Sequence, residues 1–236
     1  FDGAAGVEPQ TETNWGYADE ANVPRLCFIN KMDKLGADFD ASVKSIHERL
    51  SKKAVRIQIP IGAEDTMKGV VDLVTMKAYR FGGEMGMEVT EEEIPSELQA
   101  EAEKWRAELI ERVVEHDDAV MEAYLAGELP TNEVLKVTLR KAVLANEIFP
   151  ILTGTALRNI GVQLVLDAVV DYLPSPIDLP DTKGTDPDDE EKVVTRKPDD
   201  SEPLSALVFK LQDDKFVGQL AFFRVYSGTL KSGSYI

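Results

Sequence analysis

Pro24-Arg25-Leu26-Cys27-Phe28-Ile29-Asn30-Lys31-Met32-Asp33 is the stretch that decides the fold. Leu26 to Ile29 is a short continuous apolar run, the pattern of a strand covered on both faces. A polar loop follows, and from Asp38 to Ser51 the apolar residues Phe39, Val43, Ile46 and Leu50 recur at the spacing of an amphipathic helix. Before the strand, Gln10 to Glu20 reads as a helix opening after Pro9. Strand, loop and helix in succession predict a parallel sheet. In such sheets ligands sit beyond the carboxyl ends of the strands, where Asn30 to Asp33 lies.

The loop has a specific chemistry. A carboxylate only accepts hydrogen bonds, and guanine presents two adjacent donors, N1–H and the 2-amino group. Asp33 can take both, whereas adenine offers neither and would leave the carboxylate unpaired. Lys31 can lay its methylene stem along the base, and Asn30 can tie the loop to neighbouring backbone or to base N7. Three fixed letters are weak evidence by themselves, since Asp33 can equally cap the next turn. A second strand-and-loop, Phe149 to Thr153 followed by Gly154-Thr155-Ala156-Leu157, supplies a partner. Its small residues allow close backbone approach and a backbone N–H for an acceptor such as guanine O6.

Between these segments the texture changes. Residues 52 to 147 are acidic and α+β. Val55, Ile57 and Ile59 alternate with polar residues as one strand, residues 69–74 form a second, and residues 78–89 form a hairpin about Gly82-Gly83. Three helices follow, over about 96–115, 118–125 and 131–145. In the first, Leu98, Ala102, Trp105, Leu109 and Val113 make one apolar stripe. A helix from Gly161 to Tyr172 is expected to bury Val162, Val165, Val169 and Leu173, and to end at Pro174. Residues 180–202 carry nine acids, four bases and three prolines with few apolar side chains, the composition of a linker or mobile loop. From Pro203 the pattern is β, but two or three strands do not close a stable domain alone.

Composition excludes several classes. Forty-three acids against 26 bases leave a net charge of −17, which excludes a generic basic face for DNA, while local contact with a large nucleoprotein stays open. No apolar run approaches the roughly 18 residues of a membrane span, and no targeting segment is visible. A single cysteine, Cys27, rules out a disulfide framework and points to a reducing, cytoplasmic setting; it reads as a core residue. His47 and His116 read as surface residues. No catalytic or metal-binding residue is assigned in this chain. Residue 1 is Phe, and the first residues read as the inside of an element, so the expectation is a segment of a longer protein.

Several phrases together resemble one family. Asp2-Gly3-Ala4-Ala5-Gly6-Val7-Glu8-Pro9-Gln10-Thr11-Glu12-Thr13 is followed by Asn30-Lys31-Met32-Asp33 and Gly36-Ala37-Asp38-Phe39. Then come Pro60-Ile61-Gly62-Ala63-Glu64, Lys68-Gly69-Val70-Val71-Asp72-Leu73 and Asp171-Tyr172-Leu173-Pro174-Ser175-Pro176. Phe216-Val217-Gly218 and Phe223-Arg224-Val225-Tyr226-Ser227-Gly228 complete the set. In this order they resemble the middle of the bacterial elongation factor G family, the translational GTPases of ribosomal translocation.

The resemblance implies an α/β fold: a partial P-loop GTPase-type parallel sheet with an inserted α+β subdomain, then the start of a β-barrel. Residues 1–51 and 148–178 would belong to the GTP-binding domain and 52–147 to the insertion. Residues 179–202 would be an acidic linker, and 203–236 would open the barrel. Asn30, Lys31 and Asp33 match the base-specificity motif. Thr155, Ala156 and Leu157 match the family's Ser-Ala-x loop, with Thr in place of Ser; Asn14 and Gly16 depart from its usual wording.

GTP or GDP would be the ligand, with Mg2+ held by residues outside this chain. The sequence contains no G-x-x-x-x-G-K-[ST] loop, so the segment alone is not expected to hydrolyse GTP. Implied partners are the ribosome, through its large-subunit stalk protein and ribosomal RNA, with neither membrane nor DNA, and the protein acting as a monomer. A ribosomal-protection tetracycline-resistance protein and peptide-chain release factor 3 are alternatives, as is a non-catalytic ribosome-binding fragment. The roughly 120 residues between Asp33 and Thr155 favour the first reading, because an uninserted GTPase needs only a strand and a helix or two there.

Overall fold

A computed structural model describes residues 1–186 and 188–235. They form two compact units, Phe1–Leu173 and a second from Pro174 onward.

The first unit begins with α1 (Pro9–Glu20), β1 (Cys27–Ile29), α2 (Phe39–Arg49) and β2 (Ala54–Arg56). Four strands follow: β3 (Gln58–Ile61), β4 (Gly69–Asp72), β5 (Lys77–Gly82) and β6 (Glu88–Glu92). Then come α3 (Ser96–Val114), α4 (Asp118–Leu125), α5 (Asn132–Leu144), β7 (Phe149–Thr153) and α6 (Val162–Tyr172). β7 is the middle strand of a parallel sheet, with Cys27–Ile29 against Ile151–Thr153 on one side and Ala54–Arg56 against Phe149–Ile151 on the other. All five residues of β7 are buried, as the two-sided cover of such a strand requires. The lone Cys27 is buried in β1, and burial pushes its thiol up to about 12.

Helix ends follow local chemistry. Asp38, Asp117 and Thr131 each accept from the backbone N–H three residues on, at Ala41, Val120 and Val134, satisfying one donor that a helix start leaves open. The predicted stripe of α3 is packed: Ala102, Leu109 and Val113 are buried, and Leu98 and Trp105 lie against the core. α5 turns Leu135, Leu139, Ala142 and Val143 inward.

The single strand expected over 55–59 is instead divided at Ile57. Its N–H donates to the Ile151 carbonyl in the parallel sheet, and its own carbonyl accepts from Leu73. From Gln58 on, the chain pairs antiparallel with β4, opening a four-stranded sheet in the order β3-β4-β5-β6. The alternating pattern continues through Ile57, so periodicity could not mark the change of partner. Arg56 secures the junction. It is buried, pairs with Asp40 at 2.7 Å, and stacks 3.4 Å from the Trp105 ring centroid.

Three other expectations are corrected. α6 buries Ala168 and Tyr172, with Leu164 and Val165 half-buried, while Val169 is 41% exposed. Apolar residues nearly surround this helix, so spacing does not select a face. The choice falls to α5, whose Arg140 donates to the carbonyls of Val170, Asp171 and Leu173. His47 and His116 are half-buried rather than on the surface; His47 Nε2 lies 2.7 Å from the Ala54 carbonyl and ties α2 to β2.

In the second unit, the acidic stretch read as a linker forms β8 (Thr182–Asp186) and β9 (Asp189–Arg196), an antiparallel pair. Val193, Val194 and Thr195 are β-branched residues suited to pairing, and Lys192 bridges Asp186 at 2.7 Å. Acidic composition kept the hairpin solvated without preventing the ladder. β10 (Ser205–Asp214) and β11 (Gly218–Ser227) form a second hairpin. Asp214 closes it by accepting from the amides of Phe216 and Val217. Leu207, Phe209 and Leu211 stay exposed on β10, as expected for strands that begin a larger sheet. No helix among the described residues is long and apolar enough to cross a membrane.

Candidate functional site

Because β1 and β7 are adjacent and parallel, the loops at their carboxyl ends lie side by side. The backbone fastens them: Gly154 N–H donates to the Ile29 carbonyl at 3.0 Å, and Met32 N–H donates to the Gly154 carbonyl at 3.2 Å. Met32 is fully buried and anchors the first loop.

Asn30 joins three segments. Its N–H donates to the Phe1 carbonyl at 2.8 Å and its own carbonyl accepts from Gly3 at 2.7 Å. Its side-chain oxygen accepts from the Lys31 amide at 2.7 Å and from the Ala156 amide at 2.9 Å. The side chain therefore holds the second loop against the first. Asn30→Ala is expected to lower stability by about 1–2 kcal/mol, because two amides lose their acceptor beside solvent. Asn30→Asp, which keeps the oxygen, is expected to lose less; denaturant melts of the two variants check this, and equal midpoints would remove the tie.

The second loop is a tight turn. Thr155 and Ile160 exchange backbone hydrogen bonds at 2.9 and 3.0 Å around a 3-10 turn at Ala156–Arg158, and Asn159 is left-handed at φ 56°. Thr155 is buried, and its Oγ1 has no partner among the described residues. Leu157 is 91% exposed. Since the Ala156 amide serves Asn30, the Leu157 amide is the next donor available at the mouth of the turn.

Charges are arranged around these loops. Lys31, at φ 61°, places Nζ 3.0 Å from Asp2 Oδ2, and Lys34 Nζ lies 3.4 Å from the same oxygen. The bond from Lys31, aided by the Ala4 amide, holds the Asp2 carboxyl well below the usual carboxylate range; Asp2 in turn raises the Lys31 ammonium. Asp33 is largely shielded, and its Oδ2 lies 3.0 Å from Arg158 Nε.

The structure thus brings Asn30, Lys31, Asp33, Thr155, Ala156 and Leu157 to one sheet end. Sequence reasoning gave no role to Asp2 or Arg158. Asp2 stands 29 residues before its lysine, and no spacing rule links them. Arg158 lies one residue past the matched loop, so a charge that close was the available signal.

The tip of the β5–β6 connection was also missed. The Gly86 carbonyl accepts from Gln163 Nε2 at 3.2 Å and from Asn159 Nδ2 at 3.4 Å. Glu84, Met85, Met87 and Glu88 of this tip line a groove of about 560 Å³ with Ala156, Leu157 and Asn159. Among the described residues no group of three or more His, Cys, Asp or Glu could hold a metal ion.

The family described as "Elongation factor Tu GTP binding domain" matches residues 1–175, and "Elongation factor G domain 2" matches residues 203–236. A crystal structure of a Thermus thermophilus protein is similar at a TM-score of 0.78 and 31% sequence identity. The match covers 99% of this chain and 32% of that one, so the chain spans about a third of that protein's length.

Proposed function

Since the chain belongs to the elongation factor Tu GTP-binding domain family of translational GTPases, we propose that it is the central part of a longer elongation factor G-type protein that couples GTP hydrolysis to ribosomal translocation of transfer RNA and messenger RNA. Within it, Asn30, Lys31, Asp33, Thr155, Ala156 and Leu157 form the guanine-reading end of the GTP or GDP site. The observation that carries this is Asn30, whose side chain fastens the carboxylate loop to the small-residue turn on the neighbouring strand.

Each residue has a defined task. Asp33 accepts from guanine N1–H and the 2-amino group. Lys31 covers the base with its stem, its ammonium parked on Asp2. The turn at 155–157 supplies a backbone donor toward O6. Thr155 and Met32 keep both loops from drifting by being buried. Phosphate binding and the hydrolytic step fall to residues outside this chain, with magnesium supplying charge neutralisation on the phosphates when bound.

The match of residues 203–236 to the second domain of elongation factor G supports a protein of this type; a ribosomal-protection tetracycline-resistance protein, a release factor and a non-catalytic ribosome-binding fragment are the alternative readings. A cytoplasmic monomer acting on the ribosome is the corresponding setting. In the full-length protein, ribosomes are expected to raise GTP turnover by about tenfold or more while ATP is ignored, whereas the 236-residue chain alone gives no turnover. Equal hydrolysis of ATP, or indifference to ribosomes, would overturn the proposal.

The insertion is proposed to dock a ribosomal protein of the stalk through the face bearing Glu97, Glu101 and Glu108 of α3 and Glu115 just beyond its end, all exposed. A solvated face that merely keeps the protein soluble has the same pattern. Glu108→Lys with Glu115→Lys is expected to slow ribosome-dependent turnover several-fold at low salt, with the difference shrinking as salt rises. Unchanged low-salt rates would assign the face to solubility.

A further inference from the structure

Arg158 is not among the residues that read the base, yet it makes the one side-chain ion pair to Asp33 among the described residues. Nε lies 3.0 Å from Oδ2, with the Asp33 side chain 16% exposed and the Arg158 side chain 53% exposed. The backbone that carries Arg158 is fixed on two sides. Its N–H donates to the Thr155 carbonyl at 3.2 Å. Its carbonyl lies against Gly86, at φ 66°, so closely that a Cβ there would come within 2.5 Å. Gly86 also holds the two residues that flank the next turn, Asn159 and Gln163. The arginine is therefore anchored by the inserted subdomain on one side and by the β7 loop on the other.

A carboxylate has two oxygens and about four acceptor positions. Arg158 uses one position on Oδ2 and leaves Oδ1 and the remaining positions for a ligand. An arginine so placed fixes the rotation of the carboxylate plane without filling it. Orientation matters most for a ligand that must meet both oxygens at once. Guanine has two parallel donors, N1–H and the 2-amino group, whereas hypoxanthine has N1–H alone.

We propose that Arg158 is a positioning residue that orients the Asp33 carboxylate and thereby sets the preference for guanine over hypoxanthine nucleotides. The proposal rests on the guanine-reading assignment made above for Asp33.

The test uses the full-length protein and equilibrium binding of GDP, inosine diphosphate and xanthosine diphosphate. Arg158→Ala is expected to weaken GDP about fivefold, the scale of a half-exposed ion pair. Inosine diphosphate should change less than about twofold, so the ratio of the two affinities shrinks. Arg158→Lys, which keeps the charge, is expected to restore most of the ratio. Equal weakening of both nucleotides would make Arg158 merely structural, and tighter GDP binding would make it a competitor of the base; either result overturns the proposal. Asp33→Asn serves as the control for the underlying assignment. If it leaves the ratio of GDP to xanthosine diphosphate unchanged, the base reading itself fails and the role of Arg158 falls with it. If it shifts that ratio while Arg158→Ala leaves the guanine-to-hypoxanthine ratio intact, only the role of Arg158 is lost.

Discussion

Asp33→Asn in the full-length protein is expected to lose GTP and gain xanthosine triphosphate. A carboxylate accepts from both guanine donors, but a carboxamide offers one acceptor and one donor group, so one guanine donor meets an N–H. Each lost charge-assisted hydrogen bond costs roughly 1.5–3 kcal/mol, or on the order of ten- to a hundredfold in affinity. Arg158 sharpens the expectation. Its Nε sits 3.0 Å from Oδ2, so the carboxamide oxygen must face the guanidinium, and the amide nitrogen is left toward the base. Xanthine carries an oxygen where guanine has its 2-amino group, and that oxygen suits the amide. A purely structural Asp33 would lower stability and leave the ratio of the two affinities alone. Competition between the two nucleotides on both proteins separates these cases: an unaltered ratio in a folded variant removes Asp33 from the base site.

Gly154→Ala is expected to be the most damaging small substitution near the site. A Cβ at this position would lie 2.2 Å from the Ile160 carbonyl oxygen and 3.2 Å from the Phe28 ring. The oxygen cannot simply retreat, because it accepts from the Thr155 amide, and Gly154 itself is bonded to β1 and to Met32. The turn has to open, or β1 and β7 have to part. Either costs about 3 kcal/mol, at the upper end of overpacking, and lowers the melting temperature by about 6–12 °C for a domain of this size. Thermal unfolding followed by circular dichroism measures it. A melting temperature indistinguishable from the parent would show that the turn does not pack as described.

The site was legible at its first loop because Asn30 to Asp33 follows a strand whose burial needs no partner to recognise. α4 was read to the residue, and α1 and α2 within a residue or two, because a proline, an aspartate cap or a clear apolar stripe marks each. What stayed hidden depended on partners distant in the chain. Ile57 continues an alternating pattern while changing sheets, which is decided by Ile151 and Leu73 and by nothing local. α6 is apolar nearly all round, so its buried face is chosen by Arg140 on another helix. The acidic stretch before Pro203 was read from charge, yet Val193 to Thr195 within it suit a strand. Asp2 and Arg158 escaped notice because each acts on a loop residue supplied by another segment.

The division at Ile57 has a mechanical meaning. Consecutive backbone groups of one residue serve two sheets, the N–H bound to β7 and the carbonyl bound to Leu73 just after β4. The return path from α5 runs through Glu147 and Ile148 directly into β7. Both ends of the insertion thus meet the same strand, the one that leads into Gly154. The insertion is joined to β7 at both of its ends, and β7 leads directly into the turn at 155–159. Protons on the Ile57 and Leu73 amides are expected to exchange with solvent at similar opening free energies; clearly separate values would show that the two sheets open independently at this joint.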